Sequence, residues 1–465
     1  MVGSDYGRDL ATALAREIRS SASTTTDRAL EISRQALVDC VGVMVAGSME
    51  RASFAAAALA PEVAGGRGAT LMGRRIQSSA DWAALANGVA AHVLDFDDGH
   101  GQAIAHPSAV LLPALLAVAE ECETDGASLI EAHAVGVRVF GAFGSVVNPR
   151  HFSQGWHTTA SIGTLAAAAG VAFLLGLDSE QIAHALGIAA SQSCGIRSNF
   201  GSMTKSFHAG WAAHSGVIAA RLAKAGFTSS TRAFEGPAGW LQLMTGDSSI
   251  DPWTIVDKFA TNGADAALAI SLKRFAACGT THAAIEAVLQ LRDSVDMDPS
   301  EIAMVECHVD PTVFTIVNPG RPRTGLEGKF NLEYCLAVAM IDGAASLDQF
   351  TDERVLDPTV RRLADRVQAF PHPEGAKASS TGSATVTITL TSGEQASRTI
   401  DHKPGIYSIQ PLSLLERREK FIGCLRAAGH ADDSARRLFT ALEDLGQVRD
   451  LRVLTESLRA PRRPM

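Results

Sequence analysis

From Asp27 to Ala225 the chain keeps an Ala-rich apolar period close to that of an α-helix, broken only by short Gly, Pro or Ser steps. A pattern sustained that long excludes sandwiches, barrels and alternating βαβ folds over this region, and predicts one large all-helical domain. The candidate helices cover 27–46, 79–96, 107–122, 128–147, 161–175, 179–192 and 204–224. Their Ala, Gly and Ser content predicts close helix packing. The uncharged run 161–177 is long enough to raise a membrane span, but its Ala and Gly make it weakly apolar for lipid, so a buried core helix is expected.

After Lys273 the period changes. Val305, Cys307 and Val309 alternate with polar neighbours, as do Val386, Ile388 and Leu390, which predicts half-buried strands. Ser392-Gly393 and a β-like run to Ile400 follow as a hairpin. Helical stretches at 329–342 and 357–367 lie between the strands, and helical spacing returns at 414–427 and 432–445. The expected fold is therefore mainly α. It has a large all-helical domain (1–268), a smaller α+β lid domain (269–405), and C-terminal helices (406–465) that return to the helical domain.

Composition narrows the function classes. With 465 residues, 46% hydrophobic, 20% charged and a net charge of −9, the chain is an ordinary globular protein with an acidic balance. That balance argues against nucleic acid or an anionic membrane as partner and leaves a small molecule or a protein. The seven cysteines are scattered, odd in number and never in C-x-x-C spacing, so free thiols in a reducing cytoplasm are expected. Charges throughout residues 1–20 leave no apolar core for an export signal.

The densest polar cluster is His92-Val-Leu-Asp95-Phe-Asp97-Asp98-Gly99-His100, followed by His106-Pro107-Ser108. Pro107 at the start of a helix puts His106 at its N-terminus, where the helix dipole disfavours imidazolium and favours a neutral acid/base. His157 precedes another apolar helix, and Lys205 and His208 sit one turn apart on a third. Three helix entrances bearing His or Lys make an anion-binding environment if they converge, with carboxylates as the obvious ligands.

Only eight lysines stand against 33 arginines, so each lysine's setting is informative. Lys205, Lys273 and Lys329 all lie in apolar or small-residue surroundings, and Arg321 and Arg323 could add planar carboxylate recognition, at lower rank. His92, His133, His184 and His214 fit satisfied core residues. Asp97 and Asp98 fit helix termini. Cys278 and His282 fit one face of a structural helix. No spacing matches a zinc or calcium motif, so neither metal nor cofactor is expected.

The segments ANGVAAHVLDFDDGH, HPSAVLLPALLAVAE, GWHTTASIGTLAAAA, GSMTKSFHAGWAAHSG, SLKRFAACGTTHAAIEA and RTGLEGKFNLEYCLAVAMIDG resemble, in order, blocks of the MmgE/PrpD family. That family includes 2-methylcitrate dehydratase, cis-aconitate decarboxylase and iminodisuccinate epimerase. The resemblance implies a homodimer with metal-independent chemistry, and it places Asp95, His106, His157, Lys205 and Lys273 in the active site. Two positions depart from the decarboxylase members: Gly99 stands where they have Thr, and Phe314 occupies the region where they have Tyr. The Trp-containing insertion of methylcitrate dehydratases is absent too.

The resulting expectation is an acid/base enzyme acting on a small polycarboxylic acid. His106 is the principal acid/base, Asp95 orients it and His157 is the second proton-transfer group. Lys205 and Lys273, with His208, His100 and Arg323, would bind substrate carboxylates. Dehydration of a citrate-like hydroxy acid is the first expectation, ahead of epimerisation and of decarboxylation of an aconitate-like acid. The non-enzymatic alternative is a silent polyanion-binding or scaffold protein.

Overall fold

The structure is a computed structural model that describes residues 9–63, 68–261, 263–294, 298–372 and 382–458. The N-terminal reading at 1–20 therefore lies partly outside the described residues. The fold is mainly helical. Its described residues form two compact units. Unit 1 runs up to Val93, from Asp97 to Ser271 and from Arg417 onward, and unit 2 comprises Leu94–Phe96 and Leu272–Glu416. The boundaries that hydropathy suggests, 268/269 and 405/406, fall three and eleven residues earlier in the chain than these. The three-residue piece at Leu94–Phe96 has no hydropathy signal at all.

Unit 1 is built from α1 (Leu10–Ser20), α2 (Asp27–Gly47), α3 (Ala80–Val93), α4 (Ser108–Cys122), α5 (Gly126–Val147), α6 (Thr158–Leu174), α7 (Ser179–Ala190) and α8 (Thr204–Lys224). Helix α6 is the core element, buried without interruption from Thr158 to Ala172, and α4, α5, α7 and α8 pack around it. A helix apolar on every side has no solvent face to offer, which is why the uncharged run sits inside the unit. Helix α5 alone among the described helices is long and apolar enough to cross a membrane, and it too is mostly buried within unit 1.

Small residues set a close crossing of α3 and α8. A Cβ on Gly88 of α3 would lie 2.6 Å from the Gly210 Cα of α8, and one on Gly210 would lie 2.3 Å from the Leu85 carbonyl oxygen. Only two glycines permit this approach. It brings the last turn of α3 beside the first turns of α8, where the site residues lie.

The expected helix 79–96 stops at Val93 because Asp95 takes φ +50°, a left-handed conformation that ends a helix. Other boundaries shift by local capping. Asp125 accepts from the Ser128 backbone amide and starts α5 at Gly126. Asp178 and Gln181 form a capping box at α7.

Unit 2 holds α9 (His282–Ser294) and α10 (Leu332–Asp342) against a four-stranded sheet of β1 (Ile302–Val309), β2 (Val367–Pro371), β3 (Ala384–Leu390) and β4 (Gln395–Ile400) in the order β2-β1-β3-β4. β1 and β2 are parallel, while β1–β3 and β3–β4 are antiparallel, with Cys307 opposite Val386 and Thr387 opposite Ser397. Val305, Cys307, Val309, Val386 and Ile388 point to the buried face. On the other face Thr385 meets Thr399 at 3.0 Å and Thr387 meets Ser397 at 3.0 Å.

Strand β2 corrects the helix expected over 357–367. Asp357 caps a short helix at Pro358–Ala364, and Val367 then begins a strand that carries only one buried residue. The helix expected at 329–342 likewise starts later, at Leu332, because Asn331 caps it.

The chain then continues through α11 (Leu414–Ala427) and α12 (Asp432–Glu443). From Arg417 these belong to unit 1. Lys420 pairs with the buried Asp39 of α2 at 2.8 Å, and α12 packs on α2.

Candidate active site

His92 closes α3 and is fully buried between two charges. Its Nδ1 lies 2.8 Å from Asp97 Oδ2 and its Nε2 lies 2.9 Å from the Lys205 ammonium, which α8 contributes. An ammonium only donates, so Nε2 accepts and Nδ1 carries the proton to Asp97. The ring is thereby fixed as a neutral imidazole in one tautomer. The expectation of a merely satisfied core histidine gives way to a central member of the cluster.

His106 packs against His92 with ring centroids 4.7 Å apart. Its Nδ1 donates to the Asp98 carbonyl oxygen at 2.8 Å and lies 3.4 Å from Asp97 Oδ2. A carbonyl only accepts, so Nδ1 carries a proton, and the neutral form of the ring has its lone pair on Nε2, as a general base requires. The His106 side chain is 20% exposed while those of His92 and Asp97 are 0% exposed, so in this group it is His106 that reaches solvent.

His157 is the residue before α6, and its Nδ1 meets the Nδ1 of His208 at 2.9 Å, so the two rings share one proton. It stacks on His92 at 5.8 Å and meets the Phe200 ring edge-on at 4.9 Å. Burial, reinforced by the Lys205 charge and the neighbouring imidazoles, holds His157 well below the usual histidine range. Burial likewise pushes His208 down to about 4. Neither ring takes a second proton at neutral pH.

Asp98 and Ser108 support the cluster. Ser108 opens α4, where its backbone amide donates to Asp98 Oδ1 at 3.0 Å and its hydroxyl to Oδ2 at 2.6 Å. The same hydroxyl oxygen is 2.9 Å from His133 Nε2. Burial pushes the Asp98 carboxyl up to about 7, partly offset by the Ser108 hydrogen bonds. Asp98 therefore caps α4 with its side chain and fixes His106 with its carbonyl. His100, expected to bind substrate, has both ring nitrogens engaged by backbone: Nε2 bonds the Ala266 carbonyl at 2.9 Å and Nδ1 accepts from the Ala103 amide at 3.2 Å.

In unit 2, Asp95 and Lys273 form a buried pair. The Lys273 ammonium donates to the Asp95 carboxylate at 2.8 Å and to its carbonyl at 2.6 Å, and the second bond uses the left-handed backbone at φ +50°. The Asp95 carboxylate, expected to orient His106, pairs with Lys273, and within unit 1 Asp97 is a carboxylate beside His106. Arg323, expected to bind substrate, lies at the surface, 83% exposed and 3.6 Å from Glu327. Arg321 pairs with Asp365, and Lys329 donates to the Ala276 carbonyl at 2.8 Å.

Chemically, unit 1 gathers a carboxylate, four imidazoles and one ammonium: His92 bonds Asp97 and Lys205, His106 lies against His92 and Asp97, and the His157–His208 pair stacks on His92. His92, Asp97 and His106 are ligand types that a metal could use. However, both nitrogens of His92 are engaged, and an ammonium 2.9 Å away opposes a second cation. Sequence reasoning passed over His92, Asp97 and Asp98. Their signal was the density of the run itself, which does not distinguish an N-cap from a proton partner.

Family comparison agrees with this arrangement in extent. Residues 12–252 match the MmgE/PrpD N-terminal domain and residues 275–444 the MmgE/PrpD C-terminal domain. Similar proteins include a cis-aconitate decarboxylase of Mus musculus, 27% identical over 94% of this chain and 90% of the relative. One of Homo sapiens is 28% identical over 94% and 92%, and one of Aspergillus terreus is 27% identical over 82% and 81%. With both of the family's domains matched in order over most of its length, the chain belongs to the MmgE/PrpD family.

Proposed function

We propose that the chain is a metal-independent lyase that removes CO₂ from a small aconitate-like polycarboxylic acid. The observation that carries this reading is His106, held through Nδ1 by the Asp98 carbonyl and partly exposed at the edge of a buried cluster containing the Lys205 ammonium. The relatives named cis-aconitate decarboxylases, aligned over nearly the whole chain, support the substrate class.

In such a reaction the bond from carbon to the departing carboxylate breaks, and its electron pair delocalises toward a second carboxylate. A proton then reaches carbon, so one proton is consumed for each CO₂ released. Lys205 supplies a fixed positive charge for the oxygen-centred charge that develops, and His106 relays the proton. The low proton affinity of His157 and His208 keeps them neutral donors that position groups rather than acids held in reserve. This weighs against dehydration, where a hydroxyl must be protonated as it leaves. The seven free cysteines support a cytoplasmic setting.

Dehydration of a hydroxy acid is the second reading, favoured by Gly99 and Phe314, which differ from the decarboxylase pattern. Chelator-treated enzyme incubated with cis-aconitate, citrate and 2-methylcitrate, followed by proton NMR, separates the two. The expected result is CO₂ release and an unsaturated dicarboxylate from cis-aconitate, with the hydroxy acids unchanged. Loss of water from a hydroxy acid without CO₂ release would replace the first reading by the second.

A further inference from the structure

Unit 1 contains a cavity that the reading above does not use. It has a volume of about 520 Å³ and is lined by the end of α7, the loop 227–238 and the short helix Trp240–Thr245. That volume falls in the range of about 300–1,000 Å³ that bound small molecules fill. None of His92, His106, His157, Lys205 and His208 lines it.

The walls are fastened by their own contacts. A Cβ on Gly187 of α7 would lie 2.2 Å from Ser229 Oγ and 3.0 Å from the Ser230 carbonyl oxygen, so glycine lets the loop lie against the helix. The Ser229 amide donates to His184 Nδ1 at 3.2 Å, and its hydroxyl donates to the His184 carbonyl at 3.1 Å. The short helix is held likewise. The Trp240 amide donates to the Ala233 carbonyl at 2.9 Å, the Trp240 ring meets Phe143 edge-on at 5.5 Å, and the Met244 carbonyl accepts from His151 Nδ1 at 2.8 Å.

The chemistry of the lining selects the occupant. No charged side chain lines the cavity among the described residues, and Ile188, Phe227, Trp240, Leu243 and Met244 give it apolar surface. An ion entering it would lose water and gain no opposite charge, which excludes the polycarboxylic acids of the active site. Phe227 and Leu243 are 58% and 64% exposed, so part of this apolar wall is open to solvent. Trp240 is only 3% exposed, and its indole nitrogen is buried with no hydrogen-bond partner among the described residues. An indole N–H only donates, and a buried donor without a partner is costly, so an acceptor on a bound molecule removes that cost. Two aromatic side chains in the wall suit a flat ring.

We infer that this cavity is a binding site for an uncharged, flat aromatic molecule with one hydrogen-bond acceptor, which packs on Phe227 and Leu243 and accepts from the Trp240 indole.

The test uses full-length protein near neutral pH, where quinoline is uncharged. Naphthalene has the same shape without the acceptor nitrogen, and 1-naphthoate is the anionic probe. Affinities are measured by ligand-observed NMR in wild type, Trp240→Phe and Leu243→Ser, with sedimentation on the same samples. Quinoline should bind wild type about fivefold tighter than naphthalene, and the two should bind Trp240→Phe equally. Leu243→Ser, at an exposed position that folding tolerates, should weaken both about threefold, and 1-naphthoate should bind more weakly than quinoline throughout. No binding of quinoline or naphthalene to wild type, or binding that Leu243→Ser leaves unchanged, would overturn the site. Equal affinities for quinoline and naphthalene in wild type would overturn the role of the indole, and tighter binding of 1-naphthoate would overturn the uncharged class. Quinoline binding that strengthens on dilution, as sedimentation shows a dimer dissociating, would overturn the small-molecule assignment and give the cavity to a second copy of the chain.

Discussion

His106 and its immediate partners show how single residues set the chemistry. The Asp98 carbonyl fixes the tautomer of His106, and the Lys205 ammonium fixes that of His92. Removing a positioned acid/base costs about 10²–10⁴ in rate, so His106→Asn should lower kcat by that factor while tricarballylate affinity changes little. Steady-state kinetics beside calorimetry check this, and near-full turnover would remove His106 from the mechanism. Asp98 gives a second prediction. Its folded value of about 7 lies above the unfolded carboxylate value of about 4, so between those pH values the folded state keeps a proton that the unfolded chain has released. Its contribution to stability therefore falls as pH rises through that window. The Tm difference between wild type and Asp98→Asn should decline from pH 4 to pH 7 and then level off, and a constant difference would contradict the assignment. At this scale the sequence was informative where residues are rare or conspicuous. Lys205 stood out among eight lysines and His106 beside its proline. His92 did not, because helical spacing in Ala-rich sequence looks the same whether or not a lysine from another helix arrives at its Nε2.

Helices and strands place those residues, and one tight constraint is the α3–α8 crossing. Overpacking a close contact costs about 1–3 kcal/mol, and a methyl on Gly210 would meet the Leu85 carbonyl at 2.3 Å. Gly210→Ala should therefore lower stability by that amount in urea unfolding. It should also reduce kcat, because separating α3 from α8 parts His92 from Lys205. Unchanged unfolding and activity would show that the crossing yields freely. Element types followed from periodicity wherever the period was strong, as in α2, α8, β1 and β3. The misses have specific causes. Asp95 ends α3 by a backbone conformation that hydropathy does not encode. Strand β2 buries only Val367, and its pairing with β1 is a long-range contact that no local pattern announces.

For the whole molecule, the buried histidines govern the response to acid. Among the described residues, seven histidines are held below their ordinary range by burial: His100, His133, His151, His157, His208, His282 and His430. Four carboxyls, Asp39, Asp98, Glu120 and Glu235, are raised and act in the opposite sense. Since the histidines outnumber them, unfolding should take up protons as pH falls below about 6.5, and Tm should drop from there toward pH 4. A Tm that rises over that range would contradict the buried, neutral histidine cluster. The central claim is that this cluster moves a proton at a carbon next to a carboxylate. The most direct measurement is turnover of cis-aconitate in D₂O by chelator-treated wild type and His106→Asn, read by proton NMR. The account predicts one deuterium in the product, at carbon, with wild type, and little product with the variant. Product without deuterium at carbon, or equal labelling by both proteins, would contradict it.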